Sequence, residues 1–215
     1  LRRVMRDSYA SQESSLPAAG DTTRPVAIVG GAGALGRRLG DFFERSGYRL
    51  RVLERDDWDD ADRIVDGAQM VLVSVPIERT IEVIESLPDL PGDCVLADVT
   101  SVKRSPLDAM LARHPGPVVG LHPMFGPDVR SLAKQVVVAC PGRDDDGCRW
   151  LLDQLGLWGA VVRQESAADH DRAMVTIQAM RHFSTMVYGA FLERDDADLD
   201  ELLRMSSPIY RLELG

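Results

Sequence analysis

The feature that most constrains this chain lies between Pro25 and Glu54, PVAIVGGAGALGRRLGDFFERSGYRLRVLE. A short apolar run, Val26 to Val29, leads into Gly31, Gly33 and Gly36 in G-x-G-x-x-G spacing. An amphipathic segment from Arg37 to Arg45 follows and stops at Ser46-Gly47. A second apolar run, Tyr48 to Leu53, ends on Glu54. Strand, glycine turn, helix, strand and terminal acid in that order fit a dinucleotide-binding fingerprint. Gly31 is expected to allow the tight turn out of the strand, Gly33 to let backbone approach a pyrophosphate, and Gly36 to let the helix pack close to the sheet. The helix N-terminus offers unpaired amides and a positive dipole end to the phosphates. Glu54 stands where a carboxylate accepts hydrogen bonds from ribose hydroxyls, which favours NAD, although Arg55 beside it is compatible with a 2′-phosphate. The cofactor positions are therefore read as Gly31, Gly33, Ala34, Leu35, Gly36 and Glu54, joined by Ser74 and Pro76 at the end of the third strand.

Beyond this unit the apolar runs recur at Met70 to Val75, Cys94 to Val99, Pro117 to Leu121, Gln135 to Ala139 and Trp158 to Val162. Segments of helical spacing lie between most of them, at Ile77 to Leu87, Ser101 to Arg113 and Asp144 to Leu155. Continuous rather than alternating apolar runs mark strands buried on both faces. The expectation is an α/β fold with a doubly wound, mostly parallel Rossmann-type sheet over 25–165 and its ligand crevice at the carboxyl ends of the strands. From Ser166 onward the strand signal stops. Ser166 to Arg194 and Asp198 to Leu214, with a break at Pro208, read as the start of an all-helical C-terminal domain, incomplete in this chain. Leu1 to Tyr9 has helical spacing, and Ala10 to Arg24 is rich in Ser, Gly, Pro and Asp and reads as a linker. With no initiator Met and an end inside a helical pattern, the chain is expected to be part of a longer protein.

Composition removes several classes. A formal net charge of −9 argues against nucleic acid or an anionic membrane as partner. No apolar run approaches the ~18 residues of a membrane span. No signal-peptide pattern is present, and three cysteines without paired spacing fit a reducing, cytoplasmic setting. The four histidines form no ligand spacing, so no metal is expected.

Two clusters fall just past strand ends, Asp98 to Lys103 and Leu121 to Pro127, and a third lies on a helix, HDRAMVTIQAMRHF, with His170, Met174, Gln178 and His182 at four-residue steps. His122 is the candidate base, since an imidazole near neutrality can take a hydroxyl proton as hydride leaves the same carbon. Ser101 either hydrogen-bonds the substrate hydroxyl or His122, or caps a helix. Lys103 is a candidate for attracting substrate carboxylates. Gln178 and His182 could face substrate from the helical side or form the polar face of a packed helix.

The stretches PVAIVGGAGALGRRL, RVLERDDW, VLVSVPI, LADVTSVK, GLHPMFGPD, SLAKQVVV, HDRAMVTIQAMRHF and SSPIYRLEL resemble the prephenate dehydrogenase part of the bifunctional chorismate mutase–prephenate dehydrogenases, the T-proteins. LRRVMRDSY is similar to the last turns of their mutase domain. The resemblance implies oxidative decarboxylation of prephenate with NAD to 4-hydroxyphenylpyruvate, carbon dioxide and NADH. It puts the family's catalytic histidine on His122, the serine that contacts histidine and substrate on Ser101, and the helical substrate histidine on His182. It also implies a homodimer and tyrosine as feedback inhibitor. The family's carboxylate-binding arginine falls beyond this chain, and Arg211 and Lys103 are the nearest cations to replace it. This implies poor turnover by the chain alone or a non-catalytic NAD-binding piece, and arogenate, with an amine in place of the keto group, is a separate alternative as substrate.

Overall fold

The computed structural model describes residues 15–194 and 199–205. The expectations placed on Leu1 to Tyr9, on Pro208, on Arg211 and on the part of Asp198 to Leu214 beyond Met205 lie outside these residues. In chain order the elements are β1 (Pro25–Val29), α1 (Ala34–Arg45), β2 (Arg49–Leu53), α2 (Ala61–Val65), β3 (Met70–Val73), α3 (Thr80–Ser86), β4 (Val95–Asp98), α4 (Arg104–Arg113), β5 (Val118–Pro123), β6 (Val136–Arg143), α5 (Asp145–Leu157), β7 (Val161–Gln164), α6 (Ala167–Met174), α7 (Met180–Arg194) and α8 (Leu199–Met205).

The strands form one sheet in the order β2-β1-β3-β4-β5-β6-β7. Every neighbouring pair is parallel except β5 and β6. This is the doubly wound, mostly parallel arrangement that the alternation of apolar runs and helices predicts. Register aligns Leu53, Val29, Val73, Asp98, Gly120 and Cys140 in one row across six strands. The residues just past this row form the carboxyl edge of the sheet.

Alternate residues of each strand serve opposite faces, so the sheet carries two cores. One gathers Ile28, Leu72, Ala97 and Val119 with Leu39, Phe42 and Phe43 of α1 and Leu151 and Leu155 of α5. Phe43 meets Trp158 edge-on at 4.8 Å and Tyr48 at 5.5 Å. The other gathers Val29, Val71, Leu96 and Val118 with Val65 of α2, Ile84 of α3 and Leu107 and Met110 of α4. Burial on both faces is what continuous Val, Ile and Leu runs require.

Three local readings differ from the sequence expectation. β6 runs four residues past Ala139, through Pro141 and Gly142, because a bulge against β5 pairs Val119 with Pro141 and Val118 with Arg143. Gly142 fits there since a Cβ would lie 2.8 Å from the Val118 carbonyl oxygen. The Ile77 to Leu87 helix begins as a 3-10 turn, Ile77–Arg79, before α3. The long helical stretch after Ser166 is interrupted by a π-helical turn, Val175–Ala179, between α6 and α7.

The Ala10 to Arg24 stretch, expected as a linker, is tied down from Leu16. Its amides donate from Leu16 to the Arg45 carbonyl at 2.8 Å, from Ala19 to Gln154 Oε1 at 2.8 Å and from Gly20 to the Tyr48 hydroxyl at 2.7 Å. Gln154 Nε2 donates to the Pro17 carbonyl, and Gln69 Nε2 to the Asp21 carbonyl. Arg24 pairs with Asp93 at 2.7 Å. Glutamines and a tyrosine scattered along the sequence carry no local signal of this use.

The chain divides into two compact units, Leu1–His170 and Asp171–Gly215. In the second unit, Ile177, Met180, Phe183, Met186 and Phe191 are exposed. Among the described residues no helix is long and apolar enough to cross a membrane.

His114, at the end of α4, is buried with Nε2 at 2.7 Å from the Cys94 carbonyl. Burial is the largest cause that lowers its pKa below the ordinary imidazole value. The unfolded chain therefore binds a proton that the fold resists, and stability falls as pH drops below about 6.5. Urea midpoints at about pH 7 and about pH 5.5 should fall further in the native sequence than in His114→Gln. Equal falls would show that His114 does not contribute.

Candidate active site

The glycine turn after β1 is built on close approach. Gly30 has φ +77°, and a Cβ there would collide with the Ser74 carbonyl oxygen at the end of β3. Its amide donates to the Leu53 carbonyl at 2.9 Å, so the turn is fastened to β2 as well. The tight turn thus falls on Gly30 and not on Gly31, which the G-x-G-x-x-G count had indicated. Gly31 is needed for another reason: its Cβ would lie 2.9 Å from Val52 Cγ1. At Gly36 a Cβ would lie 2.5 Å from the Gly30 carbonyl oxygen, which brings α1 against the turn. Gly33 is exposed, lines the crevice and precedes α1, whose first residues are Ala34 and Leu35.

The crevice beside this turn has a volume of about 320 Å³. Gly30 and Gly33 form one wall, Glu54 and Trp58 another, and Ser74 and Pro76 the third. Glu54 Oε1 accepts the Ala32 amide at 2.6 Å, so this carboxylate already braces the glycine turn. Backbone without side chains, a helix N-terminus and a carboxylate at the end of β2 are the groups a dinucleotide needs for its pyrophosphate and ribose. Of the predicted cofactor positions, Gly33, Glu54, Ser74 and Pro76 line this crevice together with Gly30, which sequence reasoning missed, while Gly31, Ala34, Leu35 and Gly36 are not among its lining residues. The Gly30-Gly31 doublet was the available signal.

The second cluster follows β4. Asp98 ends the strand and is fully buried. Lys103 is also fully buried, with Nζ 2.5 Å from Asp98 Oδ2 and 2.7 Å from the Leu121 carbonyl oxygen. The expectation that Lys103 attracts substrate carboxylates is therefore corrected: its ammonium is spent inside the protein, where an uncompensated charge is prohibitive. Ser101 sits half-buried on the turn between these two residues, and α4 begins only at Arg104.

His122 lies in β5, next to β4, and is buried. Its Nδ1 is 2.8 Å from Nε2 of His170 on α6, and the two rings meet edge-on with centroids 5.0 Å apart. The sequence singled out His122 and placed His170 only on a helical stripe. Contact between residues so distant in sequence is a tertiary fact without a local pattern. Gln178, half-buried in the π-helical turn, and His182, exposed on α7, belong to the second unit. Burial pushes the Cys94 and Cys148 thiols up to about 12, which leaves them poor nucleophiles. Among the described residues no three ligand-type side chains are grouped to hold a metal.

Comparison with known proteins bears on this geometry. The family described as "Prephenate dehydrogenase, nucleotide-binding domain" matches residues 46–162, more than half of the chain. A T-protein of Enterobacter agglomerans is 52% identical over all of this chain and 58% of its own length. A T-protein of Haemophilus influenzae is 49% identical with the same coverage. The chain thus spans 58% of the length of these curated relatives. A crystal structure of prephenate dehydrogenase from A. aeolicus in complex with hydroxyphenyl propionate and NAD+ shares the fold. Its TM-score is 0.66 at 20% identity, with 86% of this chain and 71% of that one covered.

Gly30→Ala places a side chain in a left-handed conformation and against the Ser74 carbonyl. The expected cost is at least about 1–2 kcal/mol of stability, with dinucleotide affinity lowered by about tenfold or more. Urea unfolding and titration calorimetry measure the two. Native-like values in both would mean that the turn can be made without glycine here.

Proposed function

The chain belongs to the prephenate dehydrogenase family, and from that premise we propose that it performs, within a longer protein, the NAD-dependent oxidative decarboxylation of prephenate to 4-hydroxyphenylpyruvate and carbon dioxide. The observation that carries this reading is the buried His122–His170 pair at the carboxyl edge that also bears the glycine cradle. The cradle fits the cofactor, since Gly30 and Gly33 line it with bare backbone, Glu54 lines it as well, and α1 begins just after Gly33. NAD bound there supplies the acceptor for the hydride from ring carbon C4.

His122 removes the proton of the C4 hydroxyl as the C4–H bond breaks. Loss of the ring carboxylate as carbon dioxide leaves an aromatic ring, so the step is strongly downhill and the protein must mainly orient groups and accept one proton. The base role fixes a tautomer. If His122 Nδ1 carries the proton and donates it to His170 Nε2, then His122 Nε2 holds the lone pair that takes the substrate proton. His170 is thus a positioning residue that selects this form. Ser101 is proposed to hydrogen-bond the C4 hydroxyl or His122, and Gln178 and His182 to contact substrate. Similarity to T-proteins along the whole chain supports the rest of the reading: a cytoplasmic homodimer, fused to a mutase domain and inhibited by tyrosine.

In the full-length protein, His122→Asn should lower kcat for prephenate by about 10²–10⁴-fold, with NAD affinity within about threefold of native because the cradle is untouched. NADH absorbance and calorimetry measure both, with arogenate assayed in parallel. Turnover that survives the substitution rules out His122 as the base. Binding of NAD without any turnover in the native protein would instead favour a non-catalytic dinucleotide module.

A further inference from the structure

We infer that Asp98 and Lys103 are positioning residues, a buried ion pair that sets the backbone carrying both His122 and Ser101; its consequence for turnover rests on the dehydrogenase reading above. The β4–β5 ladder ends where Asp98 faces Gly120. One residue further along β5, the Leu121 carbonyl receives a hydrogen bond from Lys103 Nζ at 2.7 Å. A peptide unit is planar, so fixing the Leu121 carbonyl fixes the amide of His122 with it.

The other half of the array acts on the β4–α4 turn. Asp98 Oδ2 takes Lys103 Nζ at 2.5 Å and the Thr100 amide at 3.0 Å, and the Thr100 hydroxyl lies against the same oxygen. Ser101 follows Thr100 directly. A single carboxylate oxygen therefore governs the path of the Ser101 turn and, through Lys103, the plane of the Leu121–His122 peptide. The companion oxygen, Oδ1, has no hydrogen-bond partner among the described residues, so the whole bonding load falls on Oδ2.

The surroundings were shaped for this pair. A Cβ on Gly120 would lie 3.1 Å from Lys103 Cδ and 3.3 Å from Asp98 Oδ1, tighter than side chains ordinarily meet. Glycine in the middle of a buried strand weakens the strand, and here its use is to admit the lysine stem. Buried ion pairs add little stability over apolar residues of the same shape, whereas their directional bonds fix geometry. The arrangement therefore makes more sense as an aligning device than as a stabilising one.

The test uses the full-length protein with Lys103→Met and with the double change Asp98→Asn plus Lys103→Met. The double variant keeps the shape, removes both charges and carries the test if the single variant fails to fold. Steady-state turnover of prephenate, NAD affinity, melting temperature and long-range 15N spectra of the histidine rings are measured. Positioning predicts that kcat falls by about tenfold or more, that NAD affinity stays within about threefold, and that the ring nitrogens of His122 and His170 shift while those of His114 do not. A lower melting temperature with unchanged kcat and unmoved His122 and His170 signals would overturn the inference and leave a purely structural pair. Absence of prephenate turnover in the native protein would defeat the dehydrogenase reading instead, and the ring-nitrogen shifts would still decide whether the pair positions His122.

Discussion

The structure depends on one constraint, the hydrogen-bonded register, parallel as far as β5 and antiparallel onto β6, that draws six strands level with one another. Leu53, Val29, Val73, Asp98, Gly120 and Cys140 stand in a single row. A slip of one residue in any strand would exchange its two faces and turn its core residues away from their helices. Because both faces are covered, by α1 and α5 on one side and α2, α3 and α4 on the other, the central strands β1, β3, β4 and β5 are buried along their whole length and have no solvent face on which to tolerate such an error. The register is thus specified twice over.

That row also decides where chemistry can occur. Glu54, Gly30 and Ser74 come immediately after Leu53, Val29 and Val73, and these three line the crevice together. Asp98 and Gly120 are themselves members of the row, followed closely by Ser101 and His122. Residues as far apart in sequence as Gly30 and His122 reach one edge because β1 to β5 all end there. Crossover connections in a parallel sheet must return to the opposite edge each time, so the loops at the carboxyl edge are the ones free to differ.

Much of this was legible in the sequence, and the illegible parts share a cause. Apolar runs and glycine spacing reflect local rules, and they yielded the strands, the cradle and Glu54. The turn glycine was displaced by one because G-x-G-x-x-G spacing identifies a motif and not the φ of each member, whereas the collision with Ser74 singles out Gly30. The sequence offers Lys103 as a cation for substrate carboxylates, which requires an accessible ammonium. Its burial follows from Asp98 five residues earlier and from space at Gly120, and neither condition is visible without the fold. His170 could not be joined to His122, since a helix period says which residues share a face and not what that face meets. Pro141, a residue that normally ends a strand, stays within β6 only because a bulge accommodates it.

The polar groups at the carboxyl edge differ in kind from the apolar cores beneath them. Packing alone leaves an imidazole ring free to rotate about its side-chain bonds at little cost, and a base that must meet one proton cannot afford that freedom. Here the His122 ring is tied through Nδ1 to His170, while its backbone follows the Leu121 carbonyl that Lys103 holds. Each tie is a hydrogen bond shielded from water, which is directional and stiff where a dispersion contact is neither. The ordering entropy of these groups is lost during folding, so it need not be lost again when a substrate arrives. The glycine cradle, the His122–His170 pair and the Asp98–Lys103 pair are thus ordered before any ligand arrives, even though few of their members would stand out by charge or exposure.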